Sequence, residues 1–98
     1  SNLVIMTDAI KDINNPNNLI KVYPVPSSGL ITINMKGTGF ENMEITDALG
    51  RQIYNQMLSP QLKDNTIHVD LSTLSDGVYI LHINSQHGLL NRKIIIQK

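Results

Sequence analysis

The sequence has no cysteine among its 98 residues. The chain therefore has no disulfide, no thiolate nucleophile and no zinc site built on cysteine. Cytosolic proteins and secreted bacterial proteins that fold without disulfides both fit this composition, so it leaves the compartment open.

Aromatic residues are also scarce, with one Phe, three Tyr and no Trp. A hydrophobic core must then be built almost entirely from Ile, Leu, Val and Met. The length suits one domain of this kind and leaves no room for a second independent core.

Neither sign of charge dominates, because eight Lys and Arg residues balance eight Asp and Glu residues. A neutral chain offers no electrostatic basis for binding nucleic acid or an anionic membrane surface. Apolar runs are short as well, since stretches such as Ile94-Ile95-Ile96 fall far below the ~20 residues that cross a bilayer. We therefore expect no nucleic-acid partner and no membrane insertion.

The first 18 residues differ in composition from the rest. Residues 12–18 are rich in Asn and include Pro16, and such residues favour turns and present no periodic apolar face. We interpret residues 1–18 as a linker or the end of a preceding region, and residues 19–98 as the domain itself.

From residue 19 onward, short β-prone runs alternate with turn signals at intervals of roughly ten residues, the spacing of a β-sandwich or barrel. No helical period competes with this pattern. Seven strands are predicted, at residues 19–23, 30–35, 42–46, 51–57, 66–70, 78–84 and 89–97.

Alternation of side chains assigns faces to several strands, because neighbours along a strand point to opposite sides of the sheet. Three sets of apolar residues are predicted to form the core: Ile31, Ile33 and Met35; Ile67, Val69 and Leu71; and Tyr79, Leu81 and Ile83. The last strand carries three consecutive isoleucines, which predicts cover on both of its faces.

Three turns have recognisable chemistry. Asp47 can cap its own turn and Gly50 supplies a positive φ, so residues 47–50 predict a type I turn with a glycine bulge between two strands. Gly77 and Gly88 end similar polar segments. The last two strands are therefore predicted to belong to consecutive hairpins.

The histidines supply no convincing metal or acid–base site. His68 and Asp70 fall on one strand face, but spacing supplies no third ligand, so we interpret them as a solvated pair. His82 and His87 carry still less signal.

No catalytic motif appears elsewhere. Ser27 and Ser28 lack the strand-to-helix nucleophile pattern and are expected to cap the turn after Pro26. Gly37 and Gly39 lack the following helix that a phosphate-binding loop requires. We expect neither enzyme activity nor a cofactor.

Three cations stand near the end of the sequence, Arg92, Lys93 and Lys98. Such charges ordinarily protect a strand edge from pairing with another chain. Recognition by a receptor is the alternative, and the residues alone leave both interpretations open.

Four segments, taken in order, resemble the motifs of one family. They are residues 21–29 (Lys-Val-Tyr-Pro-Val-Pro-Ser-Ser-Gly), 45–53 (Ile-Thr-Asp-Ala-Leu-Gly-Arg-Gln-Ile), 69–79 (Val-Asp-Leu-Ser-Thr-Leu-Ser-Asp-Gly-Val-Tyr) and 92–98 (Arg-Lys-Ile-Ile-Ile-Gln-Lys). The series is similar to the type A C-terminal sorting domains of the type IX (Por) secretion system of Bacteroidetes, with Val25 in place of the usual Asn. The resemblance covers residues 19–98.

This resemblance implies a seven-stranded, Ig-like antiparallel β-sandwich that travels as the last domain of a secreted enzyme or adhesin. It implies recognition by the outer-membrane type IX translocon after Sec-dependent entry into the periplasm. A sortase-like peptidase would then remove the domain by cleavage in the linker that precedes Leu19, and leave the cargo at the cell surface or in the medium.

The resemblance also implies that residues of the four motifs take part in recognition by the translocon. These residues are Pro24, Pro26, Gly29, Asp47, Gly50, Arg51, Gly77, Tyr79, Lys93 and Lys98.

Two other functions stay open at this point. An Ig-like or fibronectin-like accessory module could bind carbohydrate or protein for a secreted enzyme, but flat sugar sites use exposed aromatic rings, and only Tyr54 is expected to face outward. A structural spacer between domains is the third function, and a spacer would tolerate a following domain where a terminal signal would not.

Overall fold

The computed structural model describes residues 19–86 and 88–98. The predicted linker at residues 1–18 and the side chain of His87 lie outside these ranges. The described chain forms seven strands: β1 (Ile20–Tyr23), β2 (Leu30–Met35), β3 (Phe40–Thr46), β4 (Gln52–Met57), β5 (Asn65–Asp70), β6 (Gly77–Ser85) and β7 (Gly88–Ile96).

The strands form two antiparallel sheets with an apolar core between them. One sheet has three strands in the order β1-β2-β5, and the other has four in the order β4-β3-β6-β7. The all-β class, the number of strands and the sandwich architecture are as predicted. In the described ranges no helix is long and apolar enough to span a bilayer.

The core follows the predicted alternation in β2 and β6. Its buried apolar side chains include Ile31, Ile33, Met35, Val69, Leu71, Tyr79, Leu81 and Ile83. Ile67 departs from the prediction, because it is only partly buried against this cluster. It lies on β5, an edge strand of the three-stranded sheet, and has a neighbouring strand on one side only.

The isoleucines of β7 are divided between the two faces of the sheet. Ile94 and Ile96 are buried in the core, whereas Ile95 stands opposite Val78 on the outer face and is half-buried. The prediction that β7 is covered on both faces was therefore too strong, since alternation places only two of the three side chains inside.

Tyr54 does not face outward as the sequence had indicated. It pairs across the sheet with the buried Ile45, so both side chains lie on the core face, and its hydroxyl donates a hydrogen bond to Gln56 Oε1. The outward-facing tyrosine is Tyr23, which is 49% exposed. It ends β1 opposite Thr32, on the outer face of the other sheet.

Candidate functional site

The antiparallel strands bring the four sequence motifs to one end of the sandwich. β1, β3, β5 and β7 finish there, and β2, β4 and β6 begin there. We call this region the motif end and define it by residues 24–29, 47–51, 71–79 and 97–98. Of the ten candidate residues only Lys93 lies elsewhere, in the middle of β7 opposite Ile80.

Backbone hydrogen bonds of Ser27 connect the first motif to the last. Its backbone N–H donates to Ile95 O at 2.8 Å, and its carbonyl accepts from Gln97 N–H at 2.8 Å. This pair of bonds, called here the Ser27 clasp, joins the connection after β1 to the edge of β7 and so links the two sheets. Pro24 and Pro26 lie exposed beside it, each after a cis peptide bond.

The serine turn forms as the sequence predicted. The Ser27 hydroxyl accepts from Gly29 N–H at 3.0 Å and donates to Leu30 O at 2.8 Å. Ser27 is buried, while Ser28 is exposed. The cap was predictable from residue type, but the clasp to β7 was not.

Gly29 lies where two backbones approach closely. Its carbonyl accepts from Leu71 N–H at 2.7 Å, and a Cβ at Gly29 would stand 2.6 Å from the Cα of Ser72. Its φ is +141°. The first motif thus packs directly against the loop between β5 and β6.

The turn between β3 and β4 has the predicted geometry. Asp47 Oδ1 accepts from the backbone N–H groups of Leu49 and Arg51, and Gly50 N–H donates to Asp47 O at 2.9 Å. Gly50 has φ +86°, and Asp47 N–H donates to Arg51 O at 3.0 Å, as expected of a turn that ends in a glycine bulge. A separate register shift leaves Ile53 unpaired between the pairs Ile45–Tyr54 and Thr46–Gln52.

The Asp47 carboxylate also binds a side chain. Arg51 Nε donates to Asp47 Oδ2 at 2.8 Å. Hydrogen bonds from the Arg51 backbone N–H, and then from its side chain, hold the pKa of Asp47 below its usual value. Asp47 is therefore a charged cap that organises the turn.

Replacing Gly50 with valine should destabilise the domain by about 1 to 2 kcal/mol, because a Cβ is strained at positive φ and a β-branched side chain most of all. No atom lies within 4 Å of the added Cβ, so the loss would report the backbone alone. Urea denaturation measures it. Gly50→Asn is the control, since Asn tolerates this conformation, and equal stability of the Val and Asn variants would contradict the turn assignment.

Tyr79 secures the loop between β5 and β6. Its ring is buried in the core, and its hydroxyl donates to the carbonyl of Ser75 at 2.6 Å. A tyrosine that reaches back to the backbone a few residues upstream is a recurring corner in Ig-like sandwiches. Gly77, at the start of β6, is exposed and pairs with Ile96.

Lys98 does not stand as a free edge charge, which was one of the two interpretations that the sequence left open. Its ammonium donates to the carbonyls of Ser72 and Leu74, and its backbone N–H donates to Asp76 Oδ1. Arg92 also turns inward, since its guanidinium donates to the carbonyl of Ile20 at 3.2 Å. Of the three cations only the exposed Lys93 fits the edge-charge interpretation.

The predicted polar pair His68 and Asp70 is divided between different neighbours. His68 Nδ1 contacts Thr32 Oγ1 at 3.1 Å, and Asp70 Oδ1 accepts from Ser72 N–H at 2.9 Å. Hydrogen bonds from Ser72 lower the pKa of Asp70. Within residues 19–86 and 88–98 no three His, Asp or Glu side chains converge as a metal site would require.

His82 makes contacts that sequence reasoning missed. Its Nε2 lies 3.0 Å from Thr46 Oγ1 and its Nδ1 lies 2.9 Å from Asn91 Oδ1. This polar row crosses β3, β6 and β7 on the outer face of the four-stranded sheet. These side chains come together only through the cross-strand register, so no pattern within a single strand predicts their contact.

A groove opens between the two loops of the motif end. It has a volume of about 530 Å³ and runs between the turn at residues 47–51 and the segment at 73–79. Leu49 and Val78 line it and remain 80% and 43% exposed. Arg51 lines it too, with 75% of its side chain exposed.

Comparisons with known proteins identify the family of the chain. The model of the family described as "Secretion system C-terminal sorting domain" matches residues 21–97. Among solved structures, CopC from Methylosinus trichosporium OB3b is similar over 80% of this chain and 84% of its own, at 18% identity and a TM-score of 0.43. No curated protein matches the sequence. Since the family model spans well over half of the chain, the chain belongs to the secretion system C-terminal sorting domain family.

Proposed function

We propose that the outer-membrane translocon of the type IX system recognises this domain at its motif end, and that a sortase-like peptidase then separates it from its cargo. The broader function follows from family membership: the domain is a C-terminal sorting signal for type IX secretion of a larger polypeptide. The match over residues 21–97 carries this conclusion and does not favour an accessory binding module.

The geometry supports a single recognition surface. Candidate residues from four separate segments gather around the loop between β5 and β6, although they are far apart in sequence. Gly29 packs against this loop, Tyr79 bonds to it and Lys98 bonds to its carbonyls. Because these residues are already held in place by the fold, little conformational entropy is lost when a partner binds them.

The remaining steps of the proposal follow the type A domains of Bacteroidetes. The cargo and this domain enter the periplasm, the translocon moves them outward, and the peptidase cuts in residues 1–18, the proposed linker. The cargo is then anchored at the surface or released. The domain itself has no catalytic role in this scheme.

A reporter fusion tests the proposal. A reporter that carries a Sec signal and is followed by this domain should reach the surface or the medium of a bacterium with a type IX system. In a strain without the translocon it should stay in the periplasm. Fractionation and immunoblotting measure both, and equal delivery in the two strains would contradict the proposal.

Two lysine variants provide a matched control in the same assay. Lys93→Ala should leave folding unchanged, because exposed charges contribute little to stability. Since Lys93 lies outside the motif end, loss of export in this variant would point to direct recognition of Lys93 and would contradict a single recognition surface at the motif end. Lys98→Ala should loosen the loop between β5 and β6, since the Ser72 and Leu74 carbonyls lose their donor. Thermal unfolding of each purified variant separates the two effects.

A further inference from the structure

One wall of the groove at the motif end carries the guanidinium group of Arg51. The Nε of Arg51 donates a hydrogen bond to Asp47, and its two terminal Nη atoms have no hydrogen-bond partner within the described residues. The Asp47 carboxylate accepts from that Nε and from two backbone N–H groups. A planar guanidinium edge that is free and exposed suits a carboxylate, which it can bind through two parallel hydrogen bonds.

Apolar side chains stand beside this guanidinium group. Leu49 at the tip of the turn and Val78 at the start of β6 both line the groove and remain exposed. Single exposed apolar residues are ordinary, but adjacent ones that frame a concave site mark a contact surface. On the opposite wall Asp76 is held by the backbone N–H of Lys98.

The walls of the groove are fixed before any partner arrives. Asp47 holds one wall through its turn, and Tyr79 and Lys98 hold the other through the carbonyls of Ser75, Ser72 and Leu74. Binding there would require little rearrangement of the domain. Even a contact of modest area can then be specific, because little binding free energy is lost in ordering the groove.

We propose that this groove receives an extended segment of the type IX receptor protein in which an Asp or Glu side chain stands next to an apolar one. The carboxylate binds the Nη edge of Arg51, and the apolar side chain packs between Leu49 and Val78. This inference rests on the proposed function, because the receptor is the translocon invoked there.

Paired variants at the two ends of the sandwich test the inference. Arg51→Gln and Leu49→Ser change the groove, while Lys63→Gln and Leu62→Ser make matched changes to exposed residues in the loop between β4 and β5 at the opposite end. Each groove variant should reduce surface delivery of the reporter on the order of tenfold, the effect of losing one interface anchor. Each control should export like the wild type, and thermal unfolding should show that all four variants are folded.

A charge-reversal selection identifies the partner. Export of the Arg51→Glu variant should be restored by receptor mutations that replace an Asp or Glu with Lys or Arg. Groove variants that export normally, while wild-type export still requires the translocon, would overturn the inference and leave the proposed function intact. A dimer in sedimentation experiments that Leu49→Ser dissociates would also overturn it, because the groove would then bind a second copy. Failure of the wild-type fusion to be exported would instead reject the proposed function.

Discussion

Replacing Gly29 with alanine should lower the free energy of unfolding by about 3 kcal/mol, the combined cost of a steric clash and a strained backbone. The added Cβ would stand 2.6 Å from the Cα of Ser72, a backbone atom that cannot rotate away. The two chains would have to separate, and the hydrogen bond from Leu71 N–H to the Gly29 carbonyl would lengthen. Urea denaturation of the purified variant measures the loss.

Gly37 provides the matched control for this prediction. Its φ of +91° also disfavours a side chain, but no atom lies within 4 Å of the Cβ that alanine would add. Gly37→Ala should therefore lose only the backbone cost, about 1 to 2 kcal/mol. If the two variants lose the same stability, the close approach of Gly29 to Ser72 is not energetically important.

Replacing Ile33 with alanine should cost about 2 to 5 kcal/mol, a large share of the stability of a small domain. Ile33 is fully buried at the centre of the three-stranded sheet, between Val22 and Ile67. Its truncation leaves a cavity that the neighbouring β-branched side chains are too stiff to fill. Chemical denaturation measured by circular dichroism gives the value.

Leu30 is the corresponding control, an aliphatic residue on the same strand with its side chain in solvent. Leu30→Ala should change stability by no more than about 0.5 kcal/mol, as surface substitutions usually do. Similar losses for the two variants would mean that the assignment of faces in β2 is wrong.

The faces of β2 were predictable because Ile31, Ile33 and Met35 alternate with polar residues. In β6 the polar His82 between Leu81 and Ile83 gives the same signal. β4 has no such alternation, since polar residues stand on both sides of Ile53 and Tyr54. A bulge in this strand, at Ile53, also shifts the register. The burial of Tyr54 therefore depends on pairing with β3 and could not be inferred from β4 alone.

At the motif end, contacts between residues close in sequence were predictable, and contacts between residues far apart in sequence were not. The turn at Asp47 and the cap at Ser27 depend on residues within four positions of each other, and turn chemistry predicts them well. The contacts of Lys98 with the Ser72 and Leu74 carbonyls depend on the packing of two sheets. No sequence pattern records that proximity, so the sequence left Lys98 open between an edge charge and a recognition residue.

The Ser27 clasp also bears on the order in which the domain can assemble. It joins a residue near the first strand to the end of the last one, and contacts between such distant positions form late because closing a long loop costs entropy first. The sheets are therefore expected to be latched together only after β7 has paired with β6. In a chain that crosses a membrane N-terminus first, the Ser27 clasp would form only after the final strand had emerged. The assembled motif end would therefore be present only on chains that had crossed the membrane completely.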